Sequence, residues 1–333
     1  MEKYEVRQNN GQCAIFHKDN PDVPVSNWHQ DIKIISKLNG TFDYYIAIDN
    51  NKAALFHKDN PNEPVSGWFK KIDAIPHPDK PLTYYGAKND NDKWAIFHID
   101  NPNEPVTPWW DWLNATNLLN GHIKYYAVGE NGHEALFHID NPNEPISRWW
   151  DQIVDTPHGS SQYYIAQVYG RRAIFHIDNP NEPVSQWWKE IYGSGLIWGS
   201  SNYYVAVDDN DQYAVFHVNN PNEPVSKWWK SVNGAGLSSS TFPWYIAKDQ
   251  DDKRAIFTVD NPEQPVSQWW EAIFYTDGFK TGKSEYYIAH QNYQKAIFSI
   301  HDMNNPISRW RSGFNPDSGL LQGTSDYYIA YAK

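Results

Sequence analysis

Two short apolar runs separated by a polar turn recur along this chain at a near-constant interval. In the second copy Tyr44-Tyr45-Ile46-Ala47-Ile48 is followed by Asp49-Asn50-Asn51-Lys52 and then by Ala53-Ala54-Leu55-Phe56-His57. Both runs are rich in aromatic and β-branched residues, and an Asp/Asn turn between such runs predicts a β-hairpin. Turns at Asn89-Asp90-Asn91-Asp92, Asp208-Asp209-Asn210-Asp211 and Asp249-Gln250-Asp251-Asp252 keep side chains that tolerate tight backbone angles. After the hairpin comes a run such as Asp-Asn-Pro-Asn-Glu-Pro-(Val/Ile)-Ser, whose prolines cannot donate to a sheet ladder, so the second strand is expected to stop there. Ser147 then precedes Arg148-Trp149-Trp150-Asp151-Gln152-Ile153, with apolar residues at offsets two, three and six. That spacing predicts a serine N-cap and a short helix with one buried stripe. In the third copy Thr107 is followed by Pro108, a residue suited to the first helical position.

The phenylalanines of the motif are Phe16, Phe56, Phe97, Phe137, Phe175, Phe216, Phe257 and Phe298, so eight copies fill the chain at intervals of 38 to 41 residues. Units of this size cannot bury their own apolar face and must stack on one another. The expected fold is therefore an α+β tandem-repeat protein, each of its eight repeats of about 41 residues a β-hairpin plus a short Trp-containing helix. The units stack into a ring or a superhelix, with a β-propeller as the alternative. Residues 1–333 read as a single repeat domain, with a surplus strand at about 326–332 that either caps the last hairpin or meets the N-terminal strand to close a ring. Between helix and next hairpin lie segments that change freely, such as 73–83, 114–124, 154–162, 192–202 and 233–243; variable connections of this kind form a candidate binding rim.

The run from Tyr163-Tyr164-Ile165-Ala166 through Asp178-Asn179-Pro180 to Trp187 resembles the lectin propellers of the tachylectin-2 kind. That resemblance implies four-stranded blades and sugar binding. Two departures stand against it: the chain has no Gly-Gly-Trp segment, and about 15 residues between Trp187 and Tyr203 leave little room for two further strands of about five or six residues each.

Composition narrows the function. Net charge is −12 and no Lys or Arg occupies a repeated position in a cluster, which argues against a nucleic-acid surface. No run reaches the roughly 18 apolar residues of a membrane span, and Met1 to Arg7 lacks the apolar core of a secretory signal. A cytoplasmic location is the default expectation, with extracellular release by another route as the alternative. Cys13 is the only cysteine and reads as a small core residue.

Candidate chemistry is sparse. The histidines His17, His57, His98, His138, His176 and His217 occupy one position in six copies and give way to Thr258 and Ser299. One His per repeat without a second ligand at metal spacing, replaceable by a hydroxyl, reads as a hydrogen-bonding residue, and no metal or cofactor is expected. The Asp100-Asn101-Pro102-Asn103-Glu104 run holds oxygen donors but has no glycine for a calcium loop. No nucleophile elbow, phosphate loop or zinc motif is present, so the chain reads as non-enzymatic; a catalytic site would need a non-repeated cluster such as one around His77, His122 or His158.

The first Trp of each pair is present in all eight copies and reads as a packing anchor, whereas the second runs His29, Phe69, Trp110, Trp150, Trp188, Trp229, Trp270 and Arg311. An exposed indole at the second position could stack on a sugar or a cation. The sequence thus predicts a multivalent carbohydrate-binding, lectin-like protein with equivalent inter-repeat sites. Its ligand contacts would be Asn103, Glu104 and Trp110, Asn143, Glu144 and Trp150, Asn181, Glu182 and Trp188, and Asn222, Glu223 and Trp229. The alternative is a protein-protein interaction scaffold, toxin-neutralising or receptor-binding, that acts through the variable loops.

Overall fold

In the computed structural model, residues 3–36, 42–75, 80–238, 243–302 and 304–331 are described, and they fall into two compact units, 1–159 and 160–333. Eight small antiparallel sheets follow one another along the chain. The third, in the first unit, shows the plan: Lys71–Asp73, Tyr84–Lys88, Trp94–His98 and Asn101–Pro105 pair in sequence order as a meander. In the second unit Glu190–Tyr192, Tyr203–Val207, Tyr213–His217 and Asn220–Pro224 repeat it.

The predicted hairpins form in all eight sheets and are the middle two strands of the four-stranded ones, and their Asp/Asn turns do hold left-handed backbone. Asn50 and Asn51 have φ of 51° and 61°, and Asp92, Asp211 and Asp252 lie between 60° and 64°. Short polar side chains are the non-glycine residues best able to occupy that region.

The Trp-containing helix does not form. The segment predicted to coil runs extended beside the preceding strand. Trp110 N–H donates to the Trp94 carbonyl (2.8 Å) and Trp94 N–H to that of Trp110 (2.7 Å), and a bridge of this kind recurs in all eight copies. Nor do the hydroxyls act as helix caps. Oγ of Ser26, Ser66, Ser147, Ser185, Ser226, Ser267 and Ser308, and Oγ1 of Thr107, each accept the N–H of the strand residue eleven positions earlier, at 2.8–3.0 Å. Apolar residues at offsets two, three and six suit a helix, but here they sit on an edge segment that packs against a neighbouring sheet. The fold is all-β in its repeated part, not α+β. Single helical turns do occur, at Thr116–Leu119, Ser194–Ile197, Ala235–Ser238, Asp277–Lys280 and Gly319–Gln322, all within the variable connections.

In five of the eight copies the proline run is also a strand. Asn101–Pro105 forms an edge, where a residue without an N–H leaves no ladder bond broken. The Tyr85 hydroxyl ties it down by donating to the Pro102 carbonyl (3.2 Å). With a three-residue strand such as Glu190–Tyr192 on the other side, the space between Trp187 and Tyr203 suffices for a four-stranded meander.

Cores lie between consecutive sheets. Ala95 and Phe97 face a cluster shared with Leu55 and Ile46 of the preceding sheet, while Ile96, between them, faces a cluster shared with Tyr126 and Phe137 of the following one. Side chains alternate faces along a strand, so a strand buried on both sides reads as an unbroken apolar run. In the second unit Val205 and Val215 share a cluster with Tyr245 and Phe257, and Ile246 and Ile256 with Tyr287 and Phe298. Within each unit these clusters are built from two consecutive sheets.

The surplus C-terminal segment pairs locally, and Ala330 packs against the cluster that holds Ile288 and Ile297 of the last hairpin. Tyr331 N–H donates to the Gly313 carbonyl (3.0 Å) and Asn315 N–H to that of Ile329 (2.9 Å), so it pairs with the stretch just before it. Ala332 and Lys333 lie outside the described residues.

Candidate functional site

The six repeated histidines are turn acceptors. Nδ1 of His98 accepts the Asp100 N–H at 3.2 Å, and His17, His57, His138, His176 and His217 accept equivalent bonds at 3.2–3.3 Å. Where Ser299 replaces histidine, its Oγ accepts the His301 N–H at 3.2 Å. Each ring also meets a tyrosine edge-on, as in Tyr84–His98 with centroids 5.1 Å apart.

The candidate ligand contacts separate into two groups. Asn103, Asn143, Asn181, Asn222, Glu104, Glu144, Glu182 and Glu223 are all exposed, Asn143 and Glu144 in a turn and the others on edge strands. Their carboxylates accept local amides, for example Asn179 Nδ2 to Glu182 at 3.1 Å, and Asn222 accepts Gln186 Nε2 at 3.4 Å. The indoles turn the other way. Trp110 packs on Phe137 and Trp149 at 5.3 and 6.1 Å, Trp188 on Phe216 and Trp228 at 5.1 and 5.8 Å, and Trp229 on Phe257 and Trp269 at 5.1 and 5.8 Å. Trp150 is 1% exposed, with the Arg148 guanidinium 4.0 Å from its ring centroid. Phe69 and His29 make the same contact at the N-terminal end, on Phe97 and Phe56, both at 5.2 Å. The second position is thus the inter-sheet wedge, and the first is the more exposed of the pair, with Trp28, Trp68 and Trp149 at 36–39%.

Concave surface lies at the variable rim as well as beside Trp68 and the Asp49-Asn50 turn. A groove of about 690 Å³ lies between the sheets of Tyr203–Val207 and Trp244–Lys248. One wall carries Tyr192, Trp198 and Tyr213, the other Ser231, Asn233 and Ser238, and Lys280 stands at its border. Tyr192 and Tyr213 are parallel, with centroids 6.4 Å apart and planes 9° apart, and Tyr192 and Trp198 are 53% and 56% exposed. Burial first, then the neighbouring Tyr213 and Glu190, raise the Tyr192 hydroxyl above its usual value against the opposing Arg172, so it remains a donor at neutral pH. On the second wall Asn233 Nδ2 donates to the hydroxyl of Tyr275, which follows the strand Ala272–Phe274 of the next sheet, at 3.0 Å. The two helical turns approach closely because residue 195 is glycine; a Cβ there would stand 2.9 Å from Ser201 Cβ and 3.1 Å from Ser238 Cβ.

A second groove, of about 240 Å³, occupies the same place in the first unit, with Asp73, Gly86 and Trp94 where the larger one has Tyr192, Val205 and Tyr213. The registers establish the match: Asp73 pairs with Gly86 as Tyr192 does with Val205, and Trp94 with Lys88 as Tyr213 does with Val207. Here Lys71 Nζ lies 5.1 Å from the Trp94 ring.

Sequence reasoning marked the segments 192–202 and 233–243 as rim but named no residue in them. A signal was present: four of the 17 tryptophans, Trp94, Trp112, Trp198 and Trp244, fall outside the two repeated positions, and Trp94 and Trp198 line the grooves. Of the non-repeated histidines, His122 and His158 come together, with ring centroids 5.4 Å apart, while His77 lies outside the described residues. Among the described residues no group of three or more His, Cys, Asp or Glu could hold a metal ion, and no helix is long and apolar enough to cross a membrane.

No family model matches this chain, and no curated protein matches its sequence. Among solved structures it is similar to Kluyveromyces lactis Hsv2, at 10% identity and a TM-score of 0.33 over 78% of this chain and 87% of that one. It is also similar to a eukaryotic initiation factor, at 10% identity and 0.41 over 92% and 84%.

Proposed function

We propose that this chain is a non-enzymatic binding protein that holds a saccharide in the rim grooves between neighbouring sheets, chiefly the groove of Tyr192, Trp198 and Tyr213. The observation that carries this reading is the pairing of half-exposed aromatic faces with hydroxyl and amide groups across one open groove. A sugar ring offers an apolar face to an indole and hydroxyls to Ser231, Asn233 and Ser238. Recurrence of the groove position at Asp73 and Trp94 supports multivalency of place, since tandem copies raise avidity without new contacts. The exposed Asn103, Glu104, Asn143, Glu144, Asn181, Glu182, Asn222 and Glu223 would then serve the frame.

A second reading, a protein ligand gripped by the rim, is favoured by one observation: the two grooves have the same location and different linings. Glycan-array binding followed by calorimetry of each hit separates the two. A glycan hit that Trp198→Ala weakens by about 30-fold, the worth of truncating a hot-spot aromatic, supports the saccharide reading. Absence of any glycan hit, or a hit indifferent to Trp198→Ala, refutes it in favour of the protein ligand.

A further inference from the structure

We infer that the Tyr192–Trp198 groove prefers an acidic saccharide, one bearing a carboxylate, and that Lys280 is the residue that sets this preference. The inference rests on the saccharide reading above and adds the charge of the ligand to it.

The chain carries −12 overall, with 40 Asp and Glu against 28 Lys and Arg. A groove taken at random from such a surface would include carboxylates. This one includes none among its described lining residues, and its single charged side chain is Lys280. The smaller groove differs in this respect, with Asp73 and Lys33 both in its lining.

Lys280 is also available. It is exposed at the last position of the turn Asp277–Lys280, and no ion pair among the described residues occupies its ammonium. That contrasts with the lysines that pair with the hairpin-tip aspartates: Lys189 with Asp211, Lys70 with Asp92 at 2.7 Å, and Lys230 with Asp252 at 2.8 Å. An ammonium on a flexible stem is a point charge that accommodates a carboxylate without a fixed fork geometry. The remaining polar lining, Ser194, Ser200, Ser231, Ser238 and Asn233, is uncharged and suited to ring hydroxyls. A neutral sugar would leave the one cation of the lining with water alone, whereas a sugar acid would meet it, the Glu190 carboxylate beside Tyr192 lying outside the lining and paired with Arg172.

The test uses the full chain and a panel of uronic-acid-terminated and sialic-acid-terminated oligosaccharides, each beside its carboxyl-reduced counterpart, so that each pair differs only in charge at one carbon. Calorimetric titration is expected to show the acid bound about two- to five-fold more tightly, the worth of one exposed ion pair. The preference should vanish in Lys280→Gln, and should shrink at 1 M salt, where the screening length is about 3 Å. The reduced sugars should bind wild type and Lys280→Gln alike, which separates loss of the charge from misfolding. Equal binding of acid and reduced sugar by the wild type overturns the role of Lys280 while leaving the saccharide reading intact. Failure of every member of the panel to bind, acid and reduced alike, overturns both.

Discussion

The eight hydroxyls from Ser26 to Ser308 are each buried and each satisfy a strand N–H that the adjoining edge segment cannot reach. Ser226 is representative: its Oγ accepts the Val215 N–H at 2.9 Å and donates to the Lys227 carbonyl at 2.8 Å. Ser226→Ala leaves that N–H buried and unpaired, which costs about 1–3 kcal/mol. Ser226→Thr should cost far less, because Thr107 does the same work in the third copy. Urea unfolding of the two variants checks this; equal losses would mean that the hydroxyl is not what matters. A second residue-scale expectation concerns His158. Burial first and the neighbouring His122 second hold its imidazole below the usual 6.5. The folded state therefore resists a proton that the unfolded chain accepts. Stability from this source is complete above about pH 6.5 and is lost as the pH falls from there through the depressed folded value. His158→Asn should flatten the fall in the urea midpoint between about pH 7 and pH 5; an unchanged slope would show that His158 is not its source. Both residues were visible in the sequence, but their partners were not. A serine before two tryptophans looks the same whether its oxygen caps a helix or reaches eleven residues back across a ladder.

At the scale of the element, hairpins and their turns could be read from the sequence because every determinant is local: aromatic and β-branched runs, and Asn or Asp at the left-handed positions. The outer strands could not. Asn101–Pro105 is held by the bulged register at Phe97 and His98 and by the Tyr85 hydroxyl, both long-range, while its own prolines and amides spell a loop. Lys71–Asp73 is three residues long, below the length at which alternation is detectable. The Trp segment failed for a related reason: apolar spacing reports which residues are buried, and an extended edge between two sheets buries nearly the same set as a short helix. The groove was half legible. Its position follows from the variability of segments 192–202 and 233–243, but the approach of Tyr192 to Tyr213 depends on register, Glu190 opposite Val207 and Tyr213 opposite the same residue from the other side. Once that register is known, the pair can be read in other copies: Phe274 and Lys295, in the eighth, lie with the ammonium 4.6 Å from the ring centroid. These cross-strand pairs vary in chemistry while the frame beneath them stays constant.

At the scale of the molecule, repeat count and period follow directly from the sequence, and the consequence that no copy has a core of its own is seen within each unit. The clusters join Ile46 to Phe97, Ile96 to Phe137, Val205 to Phe257 and Ile256 to Phe298, always across two sheets. Stability in such an array is a sum of interface terms between neighbours more than of terms within a sheet. The expectation of one cooperative array can therefore be tested by cutting a single interface. Trp229 belongs to the edge segment of one sheet, and its indole meets Phe257 and Trp269 of the next, 5.1 and 5.8 Å away. Trp229→Ala should cost about 3–5 kcal/mol, the loss expected for emptying a core aromatic site. Hydrogen exchange shows how that loss is distributed. If the sheets depend on one another, amides of Tyr203–Val207 and Tyr213–His217 lose protection together with those of Trp244–Lys248 and Arg254–Thr258, because the emptied site belongs to both. If exchange accelerates only in the sheet of Trp244–Lys248 and the preceding one keeps its protection, each sheet stands alone, and the argument from shared interiors fails with it.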